Sequence, residues 1–111
     1  MASAEVRNGM RSHSFFEKKV TSFPGLVQEV DLLDLDSGIR TFGEYEGRKR
    51  QFVFVTRSPH DSYVLMVYES SGKPSKRVPG RRLMVKEFPT TEELTAFMKE
   101  ILSKPIEAFV Y

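Results

Sequence analysis

The sequence predicts an α+β domain, an antiparallel sheet of about five strands with a capped amphipathic helix packed on it. Two observations carry that prediction. Residues 90–105 read TTEELTAFMKEILSKP, and every helix signal in that stretch agrees. Residues 50–57 and 62–69 read RQFVFVTR and SYVLMVYE, short runs of the β-branched and aromatic residues that fit a pleated surface. A one-faced helix needs an apolar surface to lie on, and the runs before it supply one.

Taken in order, residues 1–11 are small and polar, with Asn8-Gly9 as a turn signal. They read as a disordered leader before a single domain over 12–111. Ser14 and Glu17 have capping-box spacing, and Phe16, Val20 and Phe23 follow at helical intervals. This predicts a short helix over 14–22, broken by Pro24-Gly25. Residues 26–36, LVQEVDLLDLD, fit two patterns. Leu26, Val30 and Leu33 match a helix slightly better than the Leu/Asp alternation matches a strand. A strand is nevertheless the expectation, because the Asp36-Ser37-Gly38 turn makes a hairpin into the next run the shorter path.

IRTFGEYE (39–46) is the next strand, with Gly47 and Arg48-Lys49-Arg50 as its turn. The runs at 50–57 and 62–69 are apolar on both faces: Phe52 and Phe54 against Val53 and Val55, then Leu65 and Val67 against Val64 and Met66. Strands of that kind are central and covered on both sides. Ser58-Pro59-His60-Asp61 is the hairpin loop between them. RLMVKEF (82–88) is another strand. In the following helix, Thr90 caps Glu93 and Leu94, Phe97, Met98, Ile101 and Leu102 form one stripe, with Phe97 at its centre. Pro105 stops the run, and IEAFVY (106–111) reads as a last short strand.

The bulk composition excludes several function classes. A 40% apolar and 29% charged chain of 111 residues can bury a core and is not globally disordered. It has no cysteine, which removes disulfides, thiol nucleophiles and cysteine-based metal sites together. No apolar run is long enough to span a bilayer, and the first residues lack the apolar segment of a secretory signal. Cytoplasm or nucleus is the expected compartment. The net charge is only +2, but it is unevenly spread. Glu29, Asp31, Asp34, Asp36, Glu44 and Glu46 cluster over 26–46, whereas Lys73, Lys76, Arg77, Arg81 and Arg82 stand together without an acid.

That basic segment, SGKPSKRVPGRR (71–82), is the leading candidate site. Its two prolines and two glycines predict a loop, and its five cations suit phosphate contacts. Arg48, Lys49 and Arg50 extend the patch if both turns share an edge of the sheet. Ser75, in Lys-Pro-Ser-Lys-Arg, and Ser58, before a proline, are candidate phosphorylation sites; phosphate on Ser75 would oppose polyanion binding.

Other chemistries fail on spacing. The RNA-recognition strand pattern puts Lys49 where glycine belongs and Arg50 at an aromatic position, so Phe52 and Phe54 are assigned to the core. His60 and Asp61 adjoin in a turn without a nucleophile elbow, and the second histidine, His13, sits in the leader. From Asp34 or Asp31 a calcium loop would need glycine at Ile39 or Asp36, and glutamate at Tyr45 or Phe42. No phosphate-binding glycine loop occurs. No metal and no cofactor is expected.

In its order of elements (helix, short antiparallel sheet, basic loop, terminal helix) the chain resembles the small Alu-RNA-binding subunits of the signal recognition particle. It is also similar to small pleckstrin-like domains, which end in a helix on a sheet. The expected function is non-catalytic binding, as a small subunit or adaptor whose partner is another protein. The alternative is an RNA- or anionic-phospholipid-binding protein acting through 71–82. An enzyme of unrecognised type ranks third.

Overall fold

The computed structural model describes residues 18–111. Along the chain it contains β1 (Lys18–Val20), α1 (Phe23–Asp31), β2 (Gly38–Tyr45), β3 (Arg48–Arg57), β4 (Tyr63–Lys73), β5 (Lys76–Phe88), α2 (Thr91–Ile101) and β6 (Ala108–Val110). The strands form one antiparallel sheet in the order β1-β6-β2-β3-β4-β5. This is the predicted α+β class, with six strands among the described residues where about five were expected. A strand precedes the first described helix and another follows the last, an order that departs from the resemblance drawn above. No described helix is long and apolar enough to cross a membrane. The predicted leader, His13 and residues 14–17 of the predicted 14–22 helix lie outside the described residues.

Helix α2 follows its sequence signals closely. Thr90 is the cap, and its Oγ1 accepts from the Glu93 N–H at 3.1 Å. Leu94 and Met98 are fully buried; Phe97 is half-buried at the rim, its ring 5.4 Å from that of Phe88. Leu94 and Met98 are therefore the centre of the stripe, in place of Phe97.

The N-terminal readings need correction. Residues 18–20 are a strand, whose Val20 points into the core. The helix begins instead at Phe23, capped by Ser22, whose Oγ accepts from the Gly25 N–H at 3.2 Å. Pro24 lies in the first turn, where its missing N–H would have had no helical partner, so it opens the helix rather than breaking it. The strand expected over 26–36 is likewise overturned. The helical period wins, because Leu26, Val30 and Leu33 all reach the core beside α2.

The core lies between the two helices and one face of the sheet. Ile39, Val53, Val55, Leu65, Val67 and Ala108 meet Leu26, Val30, Leu94 and Met98, each fully buried. Each large aliphatic side chain there contributes about 1.5–3 kcal/mol relative to exposure. The C-terminal end of α2 touches β2 directly: Ser103 N–H donates to Phe42 O at 2.9 Å, and Gly43 bridges Leu102. A Cβ on Gly43 would stand 2.9 Å from Ile101 O, so only glycine fits that crossing.

Two turns differ from expectation. Arg48-Lys49-Arg50 belongs to β3, and Glu46-Gly47 makes the turn, both with positive φ. The basic segment 71–82 is no loop: β4 and β5 pair through it, Lys73 opposite Lys76, Ser71 opposite Val78 and Ser70 opposite Pro79. Proline lacks a ladder donor, yet β5 is an edge strand, and Pro79 needs no partner on its outer side. Gly72 at φ +98 admits the tight tip, a conformation that other side chains rarely take.

Candidate functional site

Both described helices lie on one face, and among the described residues no second layer covers the opposite face of β3 and β4, where covering on both sides was expected. Its side chains follow from register. Arg40 of β2 stands opposite Phe54 of β3 and Phe109 of β6; Phe42 stands opposite Phe52, and Phe52 opposite Tyr68 of β4. Period-two alternation then puts all of these on the same side. The rings run in a chain across the sheet: Phe42 to Phe52 at 5.4 Å, Phe52 to Phe54 at 6.2 Å and nearly parallel, Phe54 to Tyr68 at 5.6 Å edge-on. Phe52 is buried, but within this row and outside the helix-side cluster.

Cations sit on the rings. The Arg40 guanidinium lies 4.6 Å from the centre of Phe109, and that of Arg50 lies 4.5 Å from Phe42. Arg50 is aimed there by a bulge. Between the pairs Gly43–Gln51 and Tyr45–Arg48, β3 carries one residue more than β2, and Arg50 takes φ +54. Bulges re-aim side chains in this way, often beside functional sites. Gln51 repairs the disturbed ladder: its Nε2 donates to Lys49 O at 2.8 Å and its Oε1 accepts from the Ser70 N–H at 3.0 Å.

The β4–β5 hairpin completes a groove of about 700 Å³, lined by Arg40, Phe42, Lys49, Arg50, Phe52, Ser70, Pro74, Arg77, Glu107 and Phe109. Arg77 is pinned to its own hairpin. Its Nε donates to Ser70 Oγ at 3.0 Å, and its terminal nitrogens donate to the carbonyls of Ser70 and Gly72. Glu107 is the one carboxylate among the lining residues, 3.2 Å from Arg50 and 3.5 Å from Lys19.

Of the eight cations singled out in the sequence, Lys49, Arg50 and Arg77 therefore converge on one groove. Arg48 and Arg81 turn to Glu69 instead, at 2.7 and 3.5 Å. The Arg48 hydrogen bond, followed by the Arg81 charge, holds the Glu69 carboxyl below its ordinary range. Arg82 is exposed on β5 opposite Tyr68, and Lys73 and Lys76 are exposed beside the hairpin tip. Ser75 is exposed at that tip. Ser58 is buried, with its Oγ accepting from the His60 N–H at 3.1 Å, which withdraws the accessibility expected of it. Asp61 pairs with Arg57, and Asp34 closes its own turn by accepting from the Asp36 N–H at 3.0 Å. Among the described residues no cluster of three or more His, Asp or Glu could hold a metal ion.

Arg40, Phe42, Glu107 and Phe109 were missed as site residues. The signal was present in the alternation Arg40-x-Phe42 and Phe52-x-Phe54, a cation and aromatics two residues apart on strands. Comparison with known proteins adds nothing to this geometry: no family model, no curated protein and no solved structure matches the chain.

Proposed function

We propose that this protein is a non-catalytic binding module whose ligand is single-stranded RNA, held across the open face of the sheet. The observation that supports this is the convergence of Phe42, Phe52 and Phe109 with Arg40, Lys49, Arg50 and Arg77 on one groove. Aromatic faces and guanidinium planes stack on unpaired bases, while flanking cations neutralise the phosphates. From β6 to β4 the face spans three strand spacings, about 14 Å, which suits two or three bases. A duplex, with its bases already stacked, gains nothing from the rings. Cytoplasm or nucleus is the compartment that fits such a ligand.

Fluorescence anisotropy with labelled single-stranded oligonucleotides, at about 50 and 200 mM salt, tests this reading. Binding should weaken with salt, with a slope of about 0.7 per phosphate contact and so no steeper than about 3 for four groove cations. A duplex of the same sequence should bind more weakly. No binding at about 50 mM salt, or binding to anionic phospholipid vesicles and not to oligonucleotides, overturns the proposal.

A second reading, a protein-binding adaptor, draws on a different surface. Leu32 and Leu35, beyond the end of α1, are 73% and 63% exposed. Its signature would be saturable binding of a protein partner that persists at high salt and is lost in Leu32→Ser/Leu35→Ser.

A further inference from the structure

Glu107 is out of place in a groove built only for phosphates. A carboxylate there repels the backbone of a nucleic acid, yet the fold takes care to position it. Thr41 Oγ1 is buried and donates to the Glu107 carbonyl at 3.0 Å, which anchors the residue where the chain enters β6. Glu107 and Phe109 are two residues apart in extended chain and so share the open face. The Arg50 guanidinium connects Glu107 to the Phe42 ring, being 3.2 Å from one and 4.5 Å from the centre of the other. Glu107 and both rings line the same groove, so a base held there lies within reach of the carboxylate.

An ionised carboxylate only accepts hydrogen bonds, through two oxygens side by side. It matches an edge with two adjacent N–H donors. Among the four RNA bases only guanine has that edge, at N1 and N2. Adenine and cytosine each pair one amino donor with a ring-nitrogen acceptor, and uracil has a single N–H between two carbonyls. The contacts Glu107 makes now, to two side chains that are each about half exposed, leave its oxygens acceptor capacity for a base.

We infer that Glu107 is a specificity-determining residue that selects guanine at one position of the bound strand. The inference rests on the single-stranded RNA reading, and its test separates the two. Affinity is compared for a uridine oligomer, the same oligomer with one central guanosine, and one with inosine in that place. Inosine keeps N1–H and lacks only the N2 amino group. Wild-type protein should bind the guanosine strand on the order of tenfold more tightly than the uridine strand, with inosine in between. Glu107→Gln should lose that preference, binding the guanosine and uridine strands within about twofold of each other. Melting of the variant checks its fold, and the inosine comparison on wild-type protein stands even if the variant is unstable.

Equal affinity of wild type for the three strands overturns the inference and leaves RNA binding intact. So does a Glu107→Gln variant that tightens on all three alike, which would make the carboxylate a mere competitor for phosphate. A protein that binds none of the strands removes the underlying reading along with it.

Discussion

The two faces of one sheet have been given different chemistry. On the helix side the central strands present Val53, Val55, Leu65 and Val67, aliphatic and fully buried. On the other side the same strands present Phe52, Phe54, Met66 and Tyr68, of which only Phe52 is buried. Aliphatic side chains interlock with helices and exclude water, and their value is almost wholly in packing. Phenyl rings under arginines are different: they bury apolar area beneath guanidinium planes that can themselves stack on and donate to a polar ligand. One face should therefore report on stability and the other on binding.

The largest expected effect lies on the helix side. Leu65→Ala should lower unfolding free energy by about 2–5 kcal/mol, a large fraction of a typical domain's stability. Urea titration measures it, and a loss under about 1 kcal/mol would break the distinction between the faces. On the open face, Phe42→Ala should reduce oligonucleotide affinity by about 1–3 kcal/mol through lost stacking. Its stability loss should be smaller than that of Leu65→Ala in the same titration. If the order were reversed, the rings would be a second core rather than a platform.

Arg50→Gly sharpens the comparison further. The residue sits at φ +54, where glycine has no steric penalty. Relief of that strain should offset the lost Glu107 and Phe42 contacts, leaving stability within about 1 kcal/mol of wild type. RNA affinity should nonetheless fall and the salt slope should flatten by about 0.7. Parallel loss of fold and binding would mean that the bulge serves the sheet rather than the groove.

The smallest effect concerns Glu69, which ties Arg48 to Arg81 away from the groove. Its folded carboxyl titrates below the ordinary value of 4.5, so its stabilising contribution is full above that value and fades as pH falls through the depressed one. Glu69→Gln should melt slightly lower than wild type at neutral pH, and the two curves should meet in acid. A difference that grows on acidification would contradict the Arg48 pairing.

How far the fold was legible depended on how local the evidence was. The Thr90 cap, the α2 stripe and the β3 and β4 runs were readable because each rests on residues within a turn or a few positions of one another. The helix at 23–31 has a visible period, but the Asp36-Ser37-Gly38 turn argues for a hairpin strand there, and Pro24, which opens the helix, also reads as the break that ends an earlier one. The prolines and glycines of 71–82 misled in a related way: Pro79 is excluded from a central strand but tolerated on an edge. Nothing local in the sequence says which strand will be an edge.

Residue type and spacing along the chain were enough to establish the α+β class and the capped helix, because propensity and periodicity act over short distances. The site itself was decided in three dimensions. Val110 pairs with Lys18 on one side and Ile39 on the other, so the end of the described chain inserts between β1 and β2 and carries Glu107 and Phe109 to Arg40. The β4–β5 hairpin brings Arg77 to the same groove from the far side of the sheet. Such pairings join segments remote in sequence, and a one-residue slip in register would turn every side chain to the other face. Only the packed core, by admitting one register, determines which residues meet.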